Sequence, residues 1–212
     1  MKYIEFIYPL IYIIIILFGI LNFKKVKNNF YLKLFLTFLV YSLVTEIMGY
    51  FIGVVYRKNT SFIYNLWNFL NSYFYFFFFL SLIKNTFKRN IIKTIIVIYS
   101  IISIIDITFY NNFIEIGLNA NVIIGSTFIV IVVMLYFTEL LKSEAVLGLN
   151  TSIYFWISLG VLFFNIGMIP IFVIARIIEY RGVWDVIILS LNLIMASFFI
   201  TGFIASKKEF NK

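Results

Sequence analysis

The sequence predicts an all-α fold: a polytopic transmembrane bundle of seven helices, with the N-terminus outside and the C-terminus cytoplasmic. Three observations lead there. Of 212 residues, 63% are hydrophobic and only 12% charged, and the mean hydropathy is +1.05, which is more apolar surface than a water-soluble fold can hide. A spanning helix needs about 20 mainly apolar residues, and windows of that kind fall at 4–22, 30–55, 62–83, 92–110, 121–141, 152–175 and 184–205. Lys and Arg concentrate in alternate turns, as the positive-inside bias requires.

The first segment starts after Lys2 and carries Glu5, and no small-residue cleavage pattern precedes Lys24. It reads as a retained helix, not a cleaved signal, with Pro9 tolerated inside it. In the second segment Ser42, Glu46, Gly49 and Gly53 share one stripe at 100° per residue. A charge near a helix centre costs about 2.5–3.5 kcal/mol on insertion scales, so Glu46 is expected to point into the bundle. The Gly49/Gly53 pair would let another helix approach closely. The third segment carries Ser61, Asn65, Asn68, Ser72 and Tyr75 on one side, while its aromatic run Tyr73 to Phe79 covers every face. That run is expected to face lipid.

Tyr99, Ser103, Asp106 and Tyr110 align on the fourth segment, and Asn121 opens the fifth. Glu139 and Lys142, spaced i,i+3, are expected to pair at the inner end of the fifth. The sixth carries Tyr154, Ser158 and Asn165, with Pro170 placed to kink the helix near a mouth. Asn192 lies near the middle of the seventh. Trp67, Trp156 and Trp184 fall near segment ends, as interface anchors do.

Twelve basic residues fall on one side: Lys24, Lys25, Lys27, Lys33, Lys84, Lys88, Arg89, Lys93, Lys142, Lys207, Lys208 and Lys212. Five fall on the other: Lys2, Arg57, Lys58, Arg176 and Arg181. That bias sets the orientation, and opposite ends require an odd number of crossings. The net charge of +8 is thus a topology signal. Short separate basic turns make no stripe for nucleic acid, and no nucleic-acid partner is expected.

With no His and no Cys, the chain lacks the usual zinc, copper, haem and thiolate ligands, every Ser–His or Cys–His pair and every disulfide. No cofactor and no metal is expected. The His-rich intramembrane hydrolases related to ceramidases are excluded, and so is a retinal-binding opsin, because the seventh segment has no lysine. The turns are short enough that residues 1–212 read as a single seven-helix transmembrane domain. No internal repeat is evident, and matched Gly/Pro-broken helices, the pointer to repeat transporters, are missing.

Glu46, Asn65, Asn68, Asp106, Asn121, Asn165 and Asn192 converge by depth in the outer half of the bundle. This predicts an outward-facing polar cavity, with Glu46 and Asp106 as acids and the amides as hydrogen-bonding groups, for a small molecule or cation. The competing reading is that Asn and Ser hold helices together, each interhelical bond contributing about 0.6–2 kcal/mol. Abundant Ile, Phe, Asn, Lys and Tyr, the mark of AT-rich coding, add weight to that alternative.

Glu46 followed by Gly49, the Asn65/Asn68 stripe, Phe155–Trp156, Asn165, and Trp184 with Asn192 resemble a group of small seven-helix bacterial integral membrane proteins with no assigned substrate or reaction. The group is similar to seven-helix sensory input modules, of which this chain would be a version lacking the fused output. The resemblance implies a multi-pass protein of the bacterial inner membrane, of receptor or sensor type, signalling through a separate cytoplasmic or membrane partner. A small carrier or ion- or proton-conducting protein is the alternative, and a structural subunit of a membrane complex a further one. An intramembrane enzyme is weakest: two acids could act as acid and base, but no nucleophile or metal set accompanies them.

The charge bias predicts that a reporter fused at Lys212 is cytoplasmic and one inserted near Asn112 external. Activity of both reporters on the same side would rule out an odd number of crossings.

Overall fold

The computed structural model describes residues 2–110, 112–117, 119–142, 144–174 and 181–207. Arg176, Lys208 and Lys212 of the charge count lie outside the described residues. All regular structure among them is helical: α1 (Lys2–Leu21), α2 (Phe23–Val26), α3 (Phe30–Tyr50), α4 (Ser61–Leu82), α5 (Thr86–Ile105), α6 (Asn119–Leu140), α7 (Ile153–Ile174) and α8 (Arg181–Ala205). A π-helical turn extends α3 over Phe51–Val55 and another extends α5 over Asp106–Tyr110, while a 3-10 segment covers Glu144–Thr151.

Among the described residues five stretches are long and apolar enough to cross a membrane: Phe30–Val55, Thr86–Phe109, Ala120–Leu140, Ile153–Ile174 and Gly182–Ala205. Phe6–Leu21 is a shorter apolar helix. At 22 residues α4 is long enough, but Asn65, Ser72 and other polar residues dilute its apolar content. Helix α5 begins at Thr86, earlier than the apolar window suggests. Its first turns are amphipathic, with Lys88, Arg89 and Lys93 on a helix started by the Asn85 side chain, which accepts from the Lys88 amide at 3.1 Å.

The long helices pack largely in chain order around a ring. Helix α1 touches both α3 and α8 and so closes it, and α4 contacts α3, α5 and α6. Glycines set the tightest pairing, α7 against α8: a Cβ at Gly160 would lie 2.8 Å from Phe199, and one at Gly167 would lie 2.5 Å from Leu191. Close backbone approach of this kind replaces the hydrophobic driving force that lipid removes.

The aromatic run of α4 departs from expectation. Tyr75, Phe76, Phe78 and Phe79 are buried, and Phe77 alone of Tyr73 to Phe79 is exposed. Phe35 of α3 packs edge-on to Phe199 of α8 with ring centroids 5.1 Å apart, and Phe38 stacks on Phe74 at 4.1 Å. The run covers every face because α4 has neighbours on nearly every face. Trp67 likewise turns inward, its indole N–H donating to the Ser42 hydroxyl at 3.1 Å.

One end of the bundle gathers the turns around 22–29, 83–85 and 141–152 with the chain after Ala205, and its cations cap helices. Lys25 Nζ donates to the Phe203 and Ile204 carbonyls at 2.9 and 2.7 Å, at the end of α8. Arg89 donates to Leu80 and Ile83 at 2.7 and 3.1 Å, closing α4. Lys88 Nζ reaches the Leu135 carbonyl at 3.2 Å in the last turns of α6. Orphan carbonyls and the negative dipole end favour cations at such places. Glu139 does not take Lys142 as its partner: it pairs with Lys88 at 3.8 Å and accepts from the Lys84 amide at 2.7 Å.

Arg89→Ala removes two charge-assisted bonds and should lower unfolding stability in detergent by about 2 kcal/mol, whereas Lys93→Ala, at an exposed position, should leave it within about 0.5 kcal/mol. Equal effects in thermal or denaturant unfolding would show that Arg89 does not clamp α4.

Candidate functional site

At the end opposite the caps a cavity of about 730 Å³ opens between α1, α3, α4, α6, α7 and α8, a size suited to a small molecule. Of the residues singled out from sequence, Glu46, Asn65, Asn68 and Asn192 line it. Asn165 does not; it borders a second void of about 10 Å³ beneath, together with Tyr12, Ser42, Trp67, Asn71 and Tyr75, which is room for about one water. Asp106 and Asn121 stand apart from both.

Helix α3 places Glu46 half-buried on the cavity wall. Its Oε2 accepts from the Tyr64 hydroxyl at 3.4 Å. Tyr64 can lie there because Gly49 has no side chain: a Cβ at Gly49 would collide with the phenol hydroxyl. Gly53 meets the turn before α4, where its Cβ would be 3.1 Å from Thr60. Both glycines of the stripe therefore admit parts of one neighbour, and the π turn that contains Gly53 forms part of the rim. Such turns recur at functional sites. Arg57 ends the segment in a left-handed conformation, φ 53°.

Asn65 lines the cavity and also holds its edge. Buried to 1% exposure, its Nδ2 donates to the Phe113 and Ile116 carbonyls at 2.9 and 2.8 Å. Asn59 Nδ2 and Ser61 Oγ donate to the Glu115 carbonyl at 2.7 and 3.2 Å. Three side chains at the start of α4 thus pin the 112–117 loop beside the mouth. On α8, Asn192 donates to its own helix at Ile188, 2.9 Å. Asn165 does the same at Val161, 2.8 Å.

Asp106 and Asn121 belong to a sealed network. Ser103 Oγ donates to Asn121 Oδ1 at 2.7 Å, and Asn121 Nδ2 donates to Asp106 Oδ2 at 2.6 Å, all three side chains buried. The chain of bonds ties α5 to α6 where the second π turn begins. None of the three lines either cavity. Asp106 and Asn121 join helices, while Glu46, Asn65, Asn68 and Asn192 line the cavity.

Sequence reasoning missed much of the wall: Tyr8, Tyr12, Tyr50, Tyr64, Lys58 and Asp185. The signal was present in spacing. Tyr8 and Tyr12 are i,i+4 on α1, Tyr64 and Asn68 are i,i+4 on α4, and Asp185, Ile188 and Asn192 follow i, i+3, i+7 on α8. Pro9 lies beside Tyr8, and Pro170 lies between the lining residues Met168 and Phe172. No group of three metal-ligating side chains occurs among the described residues. No protein family, curated protein or solved structure matches this chain.

Asn121→Ala removes both bonds that link the buried Ser103 hydroxyl to the buried Asp106 carboxylate, so it should cost about 2–3 kcal/mol of stability, whereas Asn68→Ala, at the cavity wall, should stay within about 0.5 kcal/mol. Unfolding of the two variants in detergent separates helix-joining from cavity residues, and the reverse order would overturn the assignment.

Proposed function

We propose that this chain is a multi-pass protein of the bacterial inner membrane, of receptor or sensor type, which binds a small molecule in an outward-facing pocket and signals through a separate protein partner at its cytoplasmic face. The observation that carries this reading is a polar cavity open at one end above a core of packed rings. Phe35, Phe76, Phe78, Phe79, Phe199 and Phe203 are each under 3% exposed. A pocket filled from one face suits a receptor; a conducting path would have to pass through that packing.

The reading takes the bundle to cross the bilayer seven times, N-terminus outside. If Phe30–Val55 and Thr86–Phe109 cross, α4 must cross as well, because its two turns meet opposite ends of those stretches. Its polar residues do not bar this, since Asn65 and Ser72 are satisfied or buried inside the protein, as hydrocarbon demands. The excess of Lys and Arg at the capped end makes that end cytoplasmic, and the resemblance to sensory modules agrees with a bacterial setting. The apolar residues exposed around the bundle, Leu17, Ile101, Phe163 and Ile204 among them, suit contact with lipid.

A ligand shifts a conformational equilibrium only through its differential affinity for two states. The pocket offers such a handle, because its wall is shared among α1, α3, α4, α6, α7 and α8, so occupancy bears on how six helices sit together. Two carboxylates, Glu46 and Asp185, on one water-accessible wall also favour a second reading, a carrier for a cation or proton. Proton or cation flux in liposomes would support the carrier and count against the receptor.

The chain has no native Cys, so single substitutions report accessibility directly. A membrane-impermeant thiol reagent added to intact cells should label Asn68→Cys and Asn112→Cys, and should label Lys207→Cys only after permeabilisation. Labelling of Asn68→Cys only from the cytoplasmic side would overturn the outward pocket.

A further inference from the structure

We infer that the cavity takes an organic cation, a protonated amine or quaternary ammonium carrying an apolar body; the inference rests on the cavity being a ligand site and specifies its chemistry. Charge comes first. Glu46 and Asp185 both face the space, and among the described residues the one basic residue on its wall is Lys58, which is exposed in the turn before α4. An anion would meet both carboxylates within the space, with that ammonium at the rim.

Ring content comes second. Tyr8, Tyr12, Tyr50, Tyr64 and Trp67 all border the same space, and indole and phenol rings attract ammonium groups through their negative faces. Rings of this kind also bury the alkyl groups of a quaternary ammonium, which a carboxylate alone does not. Size comes third. About 730 Å³ is far larger than a bare metal ion needs, and no cluster of three metal-ligating side chains occurs among the described residues. Phe164, Met168 and Phe172 on the α7 wall add an apolar flank for the ligand's body. Glu46 is the group assigned to the positive centre, with Tyr64 beside it at 3.4 Å.

The experiment uses the full chain in detergent, where both ends are open, so its outcome does not depend on which way the protein faces the membrane. Asn68→Cys is reacted with a cationic and with an anionic methanethiosulfonate, and the ratio of rates is compared with that at Asn112→Cys on the exposed loop. The cavity position should favour the cationic reagent by about tenfold more than the loop position does, and Glu46→Gln should bring the two ratios together. Benzyltrimethylammonium should slow modification of Asn68→Cys by both reagents, while its neutral isostere neopentylbenzene and the anion benzoate should not. Trp67→Leu should weaken that protection by about tenfold and serves as the second variant if Glu46→Gln does not fold. A ratio no higher than at the loop, protection by the neutral isostere equal to that by the ammonium, or no reaction at all would each overturn the organic-cation assignment. Labelling of intact cells from the wrong side would overturn the outward orientation alone.

Discussion

A polar group carried into hydrocarbon must find its partner within the protein, and the arrangement of this bundle follows from that demand. Helix α4 carries three asparagines, Asn65, Asn68 and Asn71, more than any other helix among the described residues, and it contacts α3, α5 and α6. Inside, Asn65 reaches the carbonyls of a loop, and Trp67 reaches Ser42. The same demand closes Ser103, Asn121 and Asp106 into one chain of bonds between α5 and α6. A fully satisfied buried network fixes register and rotation, so these contacts decide which face of each helix is left to line the cavity.

Helix ends pose the same problem at the bundle's margins. At the basic end, Lys25, Lys88 and Arg89 donate to carbonyls near the C-termini of α8, α6 and α4, so part of the charge bias also serves capping. Magnitude separates the two roles. Three cations of twelve act as caps, and removing them leaves nine basic residues against five on the other side. Capping therefore does not account for the bias.

Hydropathy made the helices legible because a spanning segment announces itself by length and composition alone. It failed where composition was mixed: the amphipathic start of α5 lies before its apolar window, because capping by Asn85 and not lipid decides where that helix begins. Rotation was harder to read than depth. The aromatic run Tyr73–Phe79 is apolar on all sides, so its sequence cannot distinguish a helix surrounded by lipid from one surrounded by helices. Trp67 sits at the depth of an interface anchor yet turns inward to Ser42. For the candidate site, depth grouped seven residues but could not separate Asp106 and Asn121, which bond to each other, or Asn165, which borders the deeper void, from Glu46, Asn65, Asn68 and Asn192, which line the cavity. That separation depends on which helices are neighbours, a property of pairs that no single segment encodes.

The difference between the two acids is one of satisfaction. Asp106 accepts at 2.6 Å from an amide that is itself held by a serine, a short bond in a sealed place. Glu46 has a phenol at 3.4 Å, well beyond the 2.5–3.0 Å of a good O–H···O bond. An ionised carboxylate offers about four acceptor sites, and one long contact leaves most of them to be filled. Those sites border the cavity, so water or a ligand must supply what the protein does not. Gly49 reinforces the point: because it has no side chain, the Tyr64 ring can lie beside the carboxylate at the cavity wall. The fold thus spends its internal partners on Asp106 and withholds them from Glu46, and that asymmetry is what a binding site in a low-dielectric interior requires.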